Sequence, residues 1–547
     1  MSTSASLPLL TGRVTLEEVL EDEDDVLRKL SYPEKRLDFC GYLHTHADEI
    51  EAIVSHHLGV PKQSCSVPWV NEWLHGSFNV CIPVYINGSK KVMIRFPLPY
   101  KVGESTYPGN AAEKLRVEAA TYAWIESNCP SVPIPRLWGF SFPNGPSVRN
   151  GPKRRIHKQL EILLTHKRLA PEQFTALSRA PLLSILGWHL RRSIAWVLGR
   201  PIPSRYVVRR HRQSLTSGYL LVDYVENGRM LSETWRDHHE DPDKRRTLFR
   251  DLSRIMVSLA HVPLPRIGSL TMDDNGVVAL TNRPLTLQLH QLENEGIPTH
   301  IPRDMTYTTT DTYLADLLGC HDSRMGHRPN SVLDEGDAYA QLSALTMMRT
   351  YIPHFTDRGR RNGPFTLMQT DLHQSNIFVD ENWHITSLVD LEWACALPPE
   401  MLHLPYWLTG HAIDDITDGH LEEYRERHGE FMAMFEEDIK RSIATFHVSF
   451  ADRMRAGWNS GAFWYFHALQ SFTGLYHLFI QHIRPLYGEL DVDEWDVFER
   501  LVAPYWTPGV PEFVRQKMNE REQYLGRVRR LFQQSAESAG GQSQKDA

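Results

Sequence analysis

The stretch from Gln369 to Glu392 restricts this chain more than any other. Thr370-Asp371-Leu372-His373-Gln374-Ser375-Asn376 leads into the apolar run Ile377 to Val379. Asp380-Glu381-Asn382 is turn chemistry, and His384 to Val389 returns as a second run that ends at Asp390. Two short antiparallel strands joined by a polar turn bring their open ends together, so Asn376 and Asp390 are expected side by side. Asp371 lies on the loop leading in. Two carboxylates and one amide oxygen are then expected at one loop edge. An oxygen-only set of this kind suits Mg²⁺, which takes one or two carboxylates and fills its shell with water and phosphate. The plain alternative is an exposed hairpin with ordinary turn-forming Asp and Asn.

The rest of the sequence gives that site a setting. The 547 residues carry a net charge of −8, with 41% hydrophobic and 23% charged residues, which fits a soluble globular chain with no general attraction to nucleic acid. Six scattered cysteines with no C-x-x-C pair read as reduced thiols in the cytoplasm. The acidic run Glu17 to Asp25 argues against a targeting sequence. The longest uncharged stretch, Ala456 to Ile483, carries three His, two Gln and an Asn, and is expected as a buried helix with no transmembrane role.

Taken in order, residues 1–64 read as a loose start followed by a helical extension, Val14 to Leu58. Ile82 to Ile86 and Lys91 to Phe96 alternate as strands around Asn87-Gly88-Ser89, after a turn containing Gly76-Ser77. A helix from Asn110, with Glu113 as capping-box partner, runs to about Ser127. Its apolar stripe Leu115, Tyr122, Ile125 includes Glu118, and a carboxylate there is costly unless paired. Arg95, at the end of its strand, is the expected partner; a solvent-facing Arg95 and a marginal Glu118 are the alternative.

Residues 141–217 read as an insertion. From Arg149 to Arg212 there are fifteen Lys and Arg against two acids, so the remainder of the chain is strongly acidic. Apolar runs flank Arg191-Arg192. This pattern suits an anionic membrane surface, an acidic partner, or the acidic remainder of the chain itself. Tyr219 to Val225 is a strand stopping at Asn227-Gly228. Residues 226–533 read as mainly helical, with a hairpin around Asp273 to Gly276 and a helix from Leu333 to Tyr351. Residues 534–547 are expected to be a disordered tail.

Thr370-Asp371-Leu372-His373-Gln374-Ser375-Asn376, followed by Leu388-Val389-Asp390-Leu391-Glu392-Trp393, resembles the catalytic segment of the aminoglycoside phosphotransferase and choline kinase-like family. In that family the loop usually begins His-Gly-Asp; here Gln369 stands in place of the His. Leu391-Glu392 after Asp390 differs from the Phe-Gly of protein kinases. The pre-catalytic hairpin resembles inserts of fungal-type members. The resemblance implies an α+β, bilobal protein kinase-like fold, with a small β-rich N-lobe at 65–225 and a large helical C-lobe at 226–533. It implies an ATP- and Mg²⁺-dependent transfer of the γ-phosphoryl group to a hydroxyl of a small molecule. Asp371 would act as base and Asn376 and Asp390 as metal ligands. Arg95, held by Glu118, would grip nucleotide phosphates, with Gly76 and Ser77 covering them. Asp223, Tyr224 and Val225 would be the hinge against the adenine. Asp414, Asp415, Glu422 and Glu423 are candidates for a cationic acceptor, or simply solvated helix faces. A kinase-shaped scaffold or nucleotide sensor without turnover is the other reading.

Overall fold

Alternating side chains build the main sheet. In Asn79–Ile86 the residues Val80, Ile82, Val84 and Ile86 share one buried face, and Val92, Ile94 and Phe96 of Lys90–Pro97 continue it. Tyr219 and Leu221 of Tyr219–Asp223 join them, while Leu220 and Val222 point to the opposite face. The computed structural model describes residues 6–143, 173–209, 214–441, 445–488 and 491–543. The strand order in the eight-stranded sheet is Cys65–Ser66, Asn79–Ile86, Lys90–Pro97, Tyr219–Asp223, Leu137–Ser141, Gln173–Ala176, Tyr206–Val208, with Leu74–His75 also on Asn79–Ile86. Every neighbouring pair is antiparallel.

Each face has its own cover. Helices Tyr32–Thr45 and Ala47–Leu58 lay Leu43, Ile50, Ile53 and Val54 on the outer face. The N-terminal extension is thus part of the sheet's core. The inner face receives helix Asn110–Asn128, which is buried nearly all round. From there one apolar cluster runs without a break into the helical remainder, through Leu248, Leu314, Trp407 and Phe466. Each such side chain taken from water is worth about 1.5–3 kcal/mol.

The start of helix Asn110–Asn128 differs from the expected capping box. Glu104 caps it instead, accepting from the amides of Gly109 at 2.7 Å and Ala111 at 2.8 Å. Asn110 is buried and donates to the Val102 carbonyl and to Glu293. Glu113 is drawn away into a bidentate pair with Arg283.

Part of the basic insertion belongs to the sheet: Gln173–Ala176 and Tyr206–Val208 extend it beyond Leu137–Ser141. Helix Leu182–Val197 lies between these two strands. The most basic part of the insertion, within 144–172, and residues 210–213 lie outside the described residues.

After Tyr219–Asp223 the chain returns as Arg229–Met230, which pairs with Ile377–Val379. Ile377–Val379 pairs in turn with Ile385–Leu388, as the hairpin reading expects. Thr366–Gln369 and Ala394–Leu397 pair as a second ribbon, which clamps the entry and exit of that hairpin together. Helix Pro242–Ala260 follows, and the hairpin Ser269–Met272/Val278–Asn282 forms as expected.

Residues 456–483 are not one helix. Helix Thr445–Ser460 ends at Gly461, whose φ of 80° breaks the run; Ala462–Gln470 follows, then Leu475–Leu478 and a π-helical turn, Phe479–Ile483. Among the described residues no helix is long and apolar enough to cross a membrane. At the termini, Ser6–Pro8 pairs with Arg13–Thr15, and the last helix, Val510–Ser543, runs on past 534, where a disordered tail low in apolar residues was expected. Tyr524 of that helix accepts from the Val26 amide at 2.9 Å, so the two ends of the chain meet.

Candidate active site

The hairpin does bring its flanking polar residues together. Asn376 is buried and its Nδ2 donates to the Asp371 carbonyl at 2.8 Å and to the Asp371 carboxylate at 3.2 Å. Because both partners are acceptors, the amide must turn its nitrogen to them, leaving Oδ1 facing the other way. The Val389 amide donates to the Asn376 carbonyl at 3.0 Å, which fixes Asp390 one residue further on. Asp390 itself adopts φ 58°, ψ 62°, a left-handed conformation uncommon outside glycine. That backbone is braced on two sides. Gln369 Nε2 donates to the Asp390 carbonyl at 3.3 Å, and Thr370 Oγ1 donates to the Trp393 carbonyl at 2.6 Å. Gln369, the residue at odds with the family pattern, therefore ties the loop to Asp390.

Arg95 meets this edge from the sheet. Its guanidinium pairs with Glu118 on one side and with Asp390 on the other, and it lies 3.4 Å from Glu392. The expected Arg95–Glu118 pair is present, and Arg95 is also tied directly to the hairpin. Lys114, one helical turn before Glu118, is fully buried and contacts Glu392 at 3.0 Å and Asn79 Oδ1 at 2.8 Å. Asn79 donates in turn to Glu392 at 3.0 Å. The turn holding Gly76 and Ser77 is thereby pinned: Phe78 packs edge-on to Trp393, ring centroids 5.4 Å apart. Gly76 and Ser77 remain exposed at its tip, and the Gly76 amide donates to the Asn79 carbonyl.

The acids outnumber the cations. Glu118, Asp390 and Glu392 face Arg95 and Lys114, one acid more than the cations can pair, and burial with this crowding raises the carboxyls of Glu118, up to about 8, and of Asp390. Burial works to raise the Glu392 carboxyl, but Lys114 and Arg95 outweigh it and hold it down to about 2. Asp371 has no cation of its own. Burial, then Glu392 and Asp390, push its carboxyl up to about 7 against the Asn376 hydrogen bond. A half-buried edge with more acids than cations suits a divalent cation, whose charge would favour the ionised form of these carboxyls. The Asp390 side chain is 36% exposed, so an oxygen not held by Arg95 is open to solvent. No group of three or more His, Cys, Asp or Glu poised around a metal occurs among the described residues. Mg²⁺ does not require one, since water and phosphate oxygens complete its shell.

The hinge candidates sit further along the sheet. Leu220 is opposite Arg95, which puts Asp223 three residues, or about 10 Å, along the strand. The Asp223 amide is taken by the Arg136 carbonyl and its carboxylate by Trp138 Nε1. Tyr224 and Val225 follow, part-exposed, with Lys91 over the Tyr224 ring.

A cavity of about 260 Å³ opens beside the loop. Thr370 and Leu372, the neighbours of Asp371 on either side, line it, with Tyr406, Trp407, His403 and His467. No Asp, Glu, Lys or Arg lines it. His403 and His467 each leave Nε2 without a hydrogen-bond partner, and burial keeps both rings neutral. The four acids that were candidates for a cationic acceptor are absent from its walls. Asp414 and Asp415 are exposed, Glu422 pairs with Arg425, and Glu423 with His411.

Three site residues escaped sequence reading: Glu392 as an ion-pair hub, Lys114 and Asn79. Lys114 had a signal, its four-residue spacing from Glu118. Glu392 and Asn79 had none beyond position.

No protein-family model matches the chain, and no curated protein matches it. Among solved structures, a macrolide 2'-phosphotransferase type I is similar over 77% of this chain and 94% of its own, at 10% identity and a TM-score of 0.28. A likeness that faint carries no argument, and fold and site rest on the contacts above.

Proposed function

We propose that this chain is an ATP- and Mg²⁺-dependent phosphotransferase of two-lobed, kinase-like build, acting on the hydroxyl of a small molecule. The observation that supports it best is the convergence of Asp371, Asn376 and Asp390 at an edge with more acids than cations, beside a cavity and under Arg95. In this reading Asp371 accepts the acceptor's hydroxyl proton, a role its raised carboxyl pKa suits near neutral pH. Asn376 Oδ1 and the open oxygen of Asp390 hold the metal. A metal held there would supply positive charge against the nucleotide phosphates. Arg95, anchored by Glu118, presents its guanidinium to phosphate, and the Gly76-Ser77 turn lies over them. The Asp223 to Val225 segment borders the base of the nucleotide. Most of the rate enhancement then comes from positioning and charge neutralisation.

The cavity beside Asp371 is the acceptor site. Its walls carry apolar and neutral polar groups only, so the part of the acceptor that enters is uncharged, in contrast to a polycation. The six free cysteines, five of them buried, fit a reducing compartment such as the cytoplasm.

A screen of hydroxylated metabolites for Mg-ATP consumption, with Asp371→Asn as the blank, tests this. Consumption that depends on one acceptor and vanishes in the variant is expected. Mg-ATP binding without transfer to any acceptor would favour the scaffold or nucleotide-sensor reading.

A further inference from the structure

Helix Leu182–Val197 has two apolar faces and only one of them is used. Trp188 and Ala195 are buried against the body of the protein, and Trp188 Nε1 donates to the Ser204 carbonyl at 2.6 Å. On the opposite side Leu182, Leu183, Leu186, Leu190, Ile194 and Val197 fall at helical spacing along one stripe. They are between 48% and 83% exposed. Six large aliphatic side chains in one contiguous exposed stripe exceed what a monomer ordinarily leaves in water. Trp196 and Leu198 add to its end, 75% and 56% exposed.

Charge singles out what covers it. From Gln173 to Arg209 there are six arginines and no acidic residue, in a chain whose net charge is −8. Arg191 stands at one flank of the apolar stripe, Arg200 is exposed just past its end, and Arg192 turns back over the Trp188 ring. Beneath the helix, a second cavity of about 780 Å³ is lined by Arg136, Arg192, Arg205 and His189, with Glu126 as its single acid. That acid is engaged by the Tyr206 hydroxyl at 2.9 Å. An outward apolar stripe with arginines and no acid near it is complementary to acyl chains bordered by phosphate; the cavity lies on the other side of the helix and plays no part in that surface. The run of arginines without an acid favours an anionic surface as the occupant; the acidic helix Val492–Val502 of a second copy, which exposes Val497 and Leu501, is the competitor that the test must separate.

We propose that helix Leu182–Val197 docks flat on an anionic phospholipid surface. Its aliphatic stripe enters the headgroup–acyl boundary, and Arg191 and Arg200 hold lipid phosphates at its margin. The chain would bind such a membrane peripherally, and the phosphotransferase reading is not required for it.

Co-sedimentation of the full chain with mixed phosphatidylcholine–phosphatidylserine vesicles tests this, with phosphatidylcholine alone and free inorganic phosphate as comparison arms. Binding to the anionic vesicles at low salt is expected, weakening as salt rises. Leu186→Glu/Leu190→Glu should lower it about tenfold or more, since two apolar side chains no longer enter. Arg191→Glu/Arg200→Glu should lower it comparably. Both pairs are exposed, so thermal unfolding should be unchanged, which separates lost docking from lost folding. Absence of vesicle binding at low salt overturns the proposal. So does undiminished binding by the leucine variant. A wild type that ignores vesicles but dimerises through this helix, with the leucine variant monomeric, also overturns it and assigns the face to a second copy. Phosphate binding without vesicle binding would leave only an anion site and overturn the membrane role.

Discussion

In the proposed reading Asp371 and Asp390 take different roles because Asp390 pairs with Arg95, while Asp371 has no cationic partner among the described residues. A carboxylate pressed by burial and by two acidic neighbours is poised to take a proton near neutrality. Asp371→Asn is therefore expected to lower kcat by about 10²–10⁴-fold while leaving Mg-ATP binding nearly intact. Steady-state kinetics beside calorimetric nucleotide titration would check both halves. Glu392 has a different task. It sits between Lys114 and Arg95, and its removal strands a buried ammonium. Glu392→Gln should cost about 3–5 kcal/mol of stability, and pairing it with Lys114→Met should recover much of that loss. Denaturant unfolding of the two single variants and the double variant reads this coupling directly. At this scale the sequence was legible where residues are close along the chain. Asp371, Asn376 and Asp390 could be placed together because a hairpin needs only local rules. Glu392 meeting Lys114 is a contact across 278 positions, which no local pattern encodes.

At the scale of elements, periodicity carried most of the reading. The strands Asn79–Ile86 and Lys90–Pro97, the helix holding Glu118 and the site hairpin all formed where alternation or helical spacing placed them. The failures have two different causes. The capping box at Asn110 did not form because Glu104, Arg283 and Glu293 compete for the same groups. The run from Ala456 broke at Gly461 because a left-handed residue ends a helix whatever the hydropathy beyond it. The helix start has a consequence for pH. Burial works to raise the Glu113 carboxyl, but Arg283 outweighs it and holds the group well below the ordinary carboxylate range. A depressed folded-state pKa gives stability that is complete above the unfolded value, about 4.3, and is lost as pH falls through the folded one. The unfolding free energy should therefore decline steeply below about pH 4.3. Glu113→Gln should be less stable near neutrality and show a shallower acid decline. Equal slopes in the two proteins would remove Glu113 from the account.

At the scale of the molecule, helices Tyr32–Thr45 and Ala47–Leu58 are the least expected feature. Helical spacing over Val14 to Leu58 was visible in the sequence, but spacing does not name a partner. Their partner is the outer face of the main sheet, where Val80, Ile82, Val92, Ile94 and Phe96 are buried. A chain beginning after residue 58 would expose that face. It is expected to aggregate or to bind a hydrophobic dye strongly, and a soluble, cooperatively unfolding truncation would show the cover to be dispensable.

Everything functional rests on Asn376 and Asp390 holding one metal–nucleotide complex beside Asp371. Electron paramagnetic resonance of Mn²⁺ titrated into the protein with ATP measures that most directly. One protein-bound Mn²⁺ per chain is predicted, weakened about tenfold or more by Asp390→Ala and unchanged by Asp414→Ala. Equal Mn²⁺ binding by Asp390→Ala and the wild type would contradict the account.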